Sequence, residues 1–266
     1  MAINVSETRD KILIAKFCQA DPALYAYYLG DLDDFFFDRT RWWVAADSCD
    51  DAPSAITLWY QSSDLLVIQG LGHGAAQERT WREVLPLCSG EIHVHYHTDH
   101  EPIFAETYGI RPLGKFYKMR LERPFDSSVI FEMSAKAKIA RSEDRPQIDS
   151  LLERAYPGSY FDHRLLETSK CAVVFVGDTA VSFAACHVCS EEHSVASLGA
   201  IVTDPDFRRR GLATATTAKI LSILQGKIKD ICLNVHSENS AAISIYEKLG
   251  FEIHCEYHEA ILTRHN

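Results

Sequence analysis

The residues with the plainest chemical purpose lie between Ile201 and Phe251. Three consecutive arginines, Arg208, Arg209 and Arg210, run into Gly211, Leu212, Ala213 and Thr214, where a strand-like segment gives way to a helical one. Gly211 and Ala213 carry no bulky side chain, so the free amides of the first helical turn can approach an anion, and the helix dipole favours negative charge there. One such dipole contribution is about 0.3 to 1 kcal/mol. Several amides acting with arginines can hold a diphosphate. Downstream, Asn239 opens a second helical run that contains Tyr246 and stops at Gly250. A tyrosine on a helix face packs by default, and Gly250 reads as a helix C-cap without any chemistry.

The elements that must position these residues follow from apolar periodicity and turn signals. Strands are expected at Ala172 to Val176 and Ala180 to Val188, separated by Gly177-Asp178, and at Val195 to Val202, the three forming an antiparallel meander. A helix is expected from Leu212 to Gln225, stopped by Gly226, then a strand at Ile231 to Val235, a helix from Ser240 to Leu249 and a strand after Phe251. The first half repeats the order: Trp42 to Ala46, Ala55 to Tyr60, Leu65 to Ile68, a turn at Gly70 to Gly74, a helix near Gln77 to Leu87, and a strand at Ile92 to Tyr96. Laying Glu106 to Ile110 on Glu247 to Phe251 aligns His95 with His236. The expectation is two lobes of one architecture, residues 1–125 and 135–266, with the boundary near Pro124 to Ser134.

The segment Arg208 to Ala213 resembles the acetyl-CoA pyrophosphate loop of the GNAT superfamily, whose pattern is Arg or Gln, two residues, Gly, one residue, then Gly or Ala. Asn239 to Phe251 matches a second element of that family at the right distance, and the resemblance covers Lys136 to His265. It implies an α/β fold of two GNAT-like lobes, each a splayed mixed sheet flanked by helices, with acetyl-CoA as cosubstrate entering between two parallel strands. It further implies that Ile201 and Val202 pair by backbone with the pantetheine arm and that Arg209, Arg210, Gly211, Leu212, Ala213 and Thr214 wrap the pyrophosphate. Asn239 would contact the cofactor, and Tyr246 would be the general acid. The implied reaction is transfer of an acetyl or short acyl group to an amine of a small molecule or peptide. A neutral amine attacks the thioester, a donor such as the Val202 amide meets the oxyanion, and the departing thiolate takes a proton.

The match weakens at the general base, because Val195 to Val202 holds no carboxylate; Glu191, Glu192, His193 and His236 are the candidates. In the first lobe Thr98 stands opposite Asn239, Ala105 opposite Tyr246, and the Gly70 to Gly74 turn lacks an arginine cluster, so that lobe reads as catalytically dead. Two rivals stay open: an acyl-CoA-binding regulatory protein without turnover, and a Fem-like transferase that uses aminoacyl-tRNA. The intact loop and the net charge of -10 speak against the second, since phosphate neutralisation by clustered Lys and Arg supplies most non-specific nucleic-acid affinity.

The remaining motifs take plainer readings. His93, His95, His97 and His100 alternate along a strand and beyond it, and could present a metal-binding face; lining a cleft or meeting solvent explains them as well, and no metal is expected. Cys186, Cys189 and His193 make only half a zinc site. Gly70 to Gly74 is a tight turn and not a dinucleotide fingerprint. Eight cysteines, Cys49 among them, are scattered without a disulfide framework. No stretch reaches membrane-span length, the apolar content of 47% suffices for one or two cores, and a cytoplasmic protein is expected.

Overall fold

The structure is a computed structural model that describes residues 3–46, 52–62, 65–124 and 126–265. Cys49 lies outside the described residues. The chain divides into two compact units that interleave in sequence: Met1–Lys118 with His236–Glu238 and His254–Asn266, and Met119–Val235 with Asn239–Ile253.

The first unit opens with β1 (Asn4–Thr8), α1 (Lys11–Cys18), α2 (Ala26–Asp31) and α3 (Asp34–Phe37). The meander β2 (Thr40–Ala46), β3 (Ala55–Gln61) and β4 (Leu66–Gly70) is antiparallel, as its alternation predicts. The helix α4 (Gly74–Val84) then crosses to β5 (Glu91–Tyr96), which pairs parallel with β4. Gln77, Thr80, Trp81 and Val84 recur at helical spacing on α4 and are its buried residues. They feed a core that includes Trp43, Trp59, Ile68 and Phe104. The half closes with α5 (Glu101–Ala105) and the long strand β6 (Tyr108–Leu121).

The second unit repeats the order. α6 (Ser127–Ser134) occupies the expected boundary, where Asp126 caps it by accepting from the Ser128 amide at 2.8 Å. Then come β7 (Lys138–Ile139), α7 (Arg145–Ala155), β8 (Cys171–Val176), β9 (Thr179–Ser190), β10 (Val195–Thr203), α8 (Leu212–Leu224), β11 (Asp230–His236), α9 (Ser240–Lys248) and β12 (Phe251–Arg264). The β8-β9-β10 meander is antiparallel, and β10 pairs parallel with β11.

The units differ from the expected division at 1–125 and 135–266 in one physical respect. Strand β5 takes β12 as its second neighbour, with His258 opposite Tyr96 and Leu262 opposite Ile92, so the end of the chain belongs to the first unit. Strand β11 correspondingly lies beside β6, and Arg120 on β6 is paired with Asp230 on β11 at 2.8 Å. The end of β12 thus joins the first unit, while only the last residues of β6, from Met119, belong to the second.

Candidate active site

Parallel pairing puts the C-terminal ends of β10 and β11 at the same edge of the sheet, the edge where ligands meet such sheets. The register runs from Val195 opposite Asp230 to Leu198 opposite Leu233 and stops there, although β10 continues to Thr203 and β11 to His236. The parting coincides with a bulge against β9 between Gly199 and Val202, where Ala200 adopts φ 47°. Bulges re-aim a strand at functional edges. His187 occupies the space over Gly199: a Cβ at that glycine would lie 2.5 Å from the imidazole. Burial pushes His187 down to about 4.

Beyond the bulge, strand parity decides which backbone groups face the opening. The Asp204 amide donates to the Val181 carbonyl at 2.9 Å, and Val202 lies opposite Phe183 in the same register. Residues two apart share an edge, so the Val202 peptide groups face β9. Ser182 Oγ also donates to the Val202 carbonyl, at 3.0 Å. From sequence alone Val202 is expected to pair with a ligand or to donate to an oxyanion; in the structure its carbonyl is engaged on the β9 side. Ile201, which has no partner in the register of β9 or β11, turns the other way.

The arginine loop follows. Asp204, the acid at its head, is tied back by Arg154 at 2.8 Å; this hydrogen bond is the main reason its pKa is lowered, and the ion pair removes its charge from the loop's balance. Arg210 lies over the Phe207 ring at 4.8 Å and Lys136 approaches the Arg210 carbonyl at 3.5 Å, while Arg208, Arg209 and Arg210 are exposed. Arg209 and Gly211 both adopt positive φ, 61° and 73°, and no side chain caps α8. The first-turn amides of Leu212, Ala213 and Thr214 therefore lack a capping partner, which is the condition for anion binding at a helix start. Leu212 itself is buried against Ala137, Val174 and Val181, fixing the helix to the sheet.

Asn239 is exposed, and its Oδ1 accepts from the Ala242 amide at 3.2 Å, capping α9. Tyr246 is buried on α9, its ring 6.2 Å from that of Phe251. Burial, and secondarily Tyr156, raise its pKa, so it holds its proton at neutral pH. Among the described residues no hydrogen-bond partner is present for its hydroxyl.

The candidate bases do not gather here. Glu191, Glu192 and His193 sit in the β9–β10 turn, at the opposite end of β10, about 20 Å from Ile201 along the strand. His236, a first-unit residue, has both nitrogens engaged, Nε2 with the Leu113 carbonyl at 3.2 Å and Nδ1 with the Glu238 amide at 3.2 Å. Sequence reasoning missed Ser182, Arg154 and His187; register and distant pairing give them their roles, and no local motif marks them.

The equivalent edge of the first unit is filled by its own side chains. There β4 pairs with β5 through its last residue, Gly70 opposite Tyr96. Gln77 Oε1 accepts from the Gly72 amide at 3.1 Å, and Trp81 packs against Gly70. His97 and His100 engage the Leu71 and Gly72 carbonyls, each at 3.0 Å.

The pattern of an FR47-like protein family matches residues 180–259. The chain is 37% identical over 75 residues to the [ribosomal protein bS18]-alanine N-acetyltransferase of Salmonella typhimurium, covering 28% of this chain and 49% of that one. It is 30% identical over 117 residues to N-alpha-acetyltransferase 50 of Danio rerio, covering 40% of this chain and 68% of the relative. A tandem GNAT protein from the clavulanic acid biosynthesis pathway superposes with a TM-score of 0.54 at 12% identity, covering 98% of each chain. The mixed sheet flanked by helices is the fold shared with that structure. The chain belongs to the GNAT superfamily of N-acetyltransferases. It spans about half the length of the bacterial relative it matches.

Gly199→Ala is expected to lower stability by about 1 to 3 kcal/mol, the usual range for overpacking. His187→Ala in the same chain should restore much of that loss. Thermal melts of the two single variants and the double variant check the coupling.

Proposed function

We propose that the chain transfers an acetyl group from acetyl-CoA to a primary amine. The observation that carries this reading is the uncapped start of α8 behind Arg208 to Gly211, at the edge where β10 and β11 part. The donors present fit a diphosphate: first-turn amides, exposed guanidinium groups, and a glycine whose Cβ position has nothing within 4 Å. In this reading Arg209, Arg210, Gly211, Leu212, Ala213 and Thr214 hold the pyrophosphate, the Ile201 edge holds the pantetheine arm, and Asn239 Nδ2 makes a further contact.

Acetyl-CoA supplies an activated acyl group. The protein's part is to orient it and manage charge and protons. Tyr246, kept protonated by burial, gives its proton to the sulfur as the carbon–sulfur bond breaks. The amine enters in its neutral form after exchange with water, since neither the β9–β10 turn nor His236 offers a free base. The relatives' names specify a protein alanine and an N-alpha position as acceptors; we infer the same chemical class here, a small-molecule or peptide amine. No described helix is long and apolar enough to cross a membrane. Most described cysteines are buried free thiols, which supports a reducing compartment such as the cytoplasm.

The test is release of free CoA from acetyl-CoA in the presence of a library of amines and short peptides. Acceptor-dependent release supports the proposal; saturable acetyl-CoA binding with no release against any acceptor favours a regulatory binder. Calorimetry should give one acetyl-CoA per chain, with affinity unchanged in His73→Ala and Arg79→Ala. A second bound equivalent would contradict the reading of the first unit's edge as closed.

A further inference from the structure

The first unit contains a convergence of metal-binding side chains that acetyl transfer does not use. His93 and His95 lie two apart on β5 and so share a face, and Glu259 of β12 stands directly opposite His95. His93 Nε2 is 2.8 Å from Glu259 Oε2, and His95 Nε2 is 3.5 Å from Glu259 Oε1. One ligand atom from each of the three residues lies within 4.8 Å of the others. Donors bound at 2.0 to 2.1 Å around a tetrahedral ion are about 3.3 Å apart, so small side-chain movements would close these atoms on one metal.

We propose that His93, His95 and Glu259 bind a divalent transition metal, with Zn²⁺ the best match. Two imidazoles and one carboxylate are a donor set that suits such ions and leaves a position for water. The surroundings resemble an outer coordination shell: Tyr257 donates to Glu259 Oε1 at 2.6 Å, fixing the carboxylate. The cluster is dry enough to matter, since the side chains of His95 and Glu259 are each only 10% exposed. His95 Nδ1 is buried without a hydrogen-bond partner, and the ring packs beside those of His93 and Tyr257, with centroids 5.1 and 5.2 Å away. Lys118, buried with its ammonium 5.1 Å from the Tyr257 ring centroid, opposes a second cation and weakens the binding. From sequence alone no metal is expected at these histidines; the carboxylate that completes the donor set comes only with the arrival of β12 beside β5.

The experiment titrates chelator-stripped full-length protein with Zn²⁺ by calorimetry and with Co²⁺ by visible absorption. One equivalent of Zn²⁺ and a Co²⁺ ligand-field band are expected. His93→Gln, at the most exposed of the three positions, and Glu259→Gln should each weaken Zn²⁺ binding at least tenfold. Tyr257→Phe should weaken it about tenfold, the lower end for an outer-shell partner. Thermal melts of the metal-free variants establish that they fold, and His93→Gln alone decides the case if Glu259→Gln does not. Absence of a saturable equivalent, or affinity within threefold of the parent in a folded His93→Gln, overturns the proposal.

Discussion

Gly211→Glu lowers acetyl-CoA affinity by about 10²- to 10³-fold while the protein stays folded. The fold survives because a Cβ at Gly211 meets nothing within 4 Å. The backbone cost of holding φ 73° without glycine is of order 1 to 2 kcal/mol. Binding fails because a carboxylate then stands where the diphosphate must approach the amides of α8. Two unit charges 4 Å apart at a partly exposed site interact by about 4 kcal/mol, close to three decades of affinity. Gly211→Asn separates charge from strain, since asparagine tolerates this backbone region and carries no charge; its affinity should stay within about tenfold of the parent. Calorimetry on both variants checks the result, and equal affinities for Glu and Asn would remove the diphosphate from this position.

Tyr246→Phe should lower kcat about a hundredfold and leave acetyl-CoA affinity within a few-fold. General acid catalysis typically contributes about 10² to 10⁴, and water replaces part of the loss. The hydroxyl has no hydrogen-bond partner among the described residues, so its removal breaks no internal bond, and the ring still packs near Phe251. The loss should shrink with an acyl donor whose leaving thiol is more acidic, which needs less protonation. The pH profile adds a signed test. Tyr246 acts only in its protonated form, and burial raises its pKa above the ordinary tyrosine value of 10.0, so its ionisation cannot cause a fall in kcat below that pH. Coupled loss of binding and turnover would make Tyr246 a packing residue and end its role as acid.

The parts of this architecture legible in the sequence are those written in local signals. The meander β8 to β10, the helix after Arg208 to Gly211 and the helix opened by Asn239 follow from period-two and period-3.6 patterns and from glycine. The N-terminal helices were equally writable, since Asp10 caps α1 and Asp33 caps α3, yet their short apolar faces give little periodicity. The orientation of the Val202 peptide was not legible, because it depends on which residue of β9 lies opposite and on a bulge that no turn residue announces. Arg154 and Asp204 are separated by 50 positions, and His93 and Glu259 by 166. Such pairings belong to topology. Element order suggested a duplication correctly in outline, but only the pairing of β5 with β12 reveals that the end of the chain belongs to the first unit.

The passage of β12 into the first unit constrains how such a molecule can be cut, permuted or inherited. A fragment encoding only the second half of the sequence would keep the arginine loop and the start of α8, yet it would leave β11 with a bare edge and carry an orphan strand in Tyr257 to Thr263. Bare edges and orphan strands recruit other chains, so the expected fate of the fragment is aggregation or mutual swapping between copies. Over evolutionary time, the strands that complete the sheet would stay under selection for folding whatever became of the rest of their half.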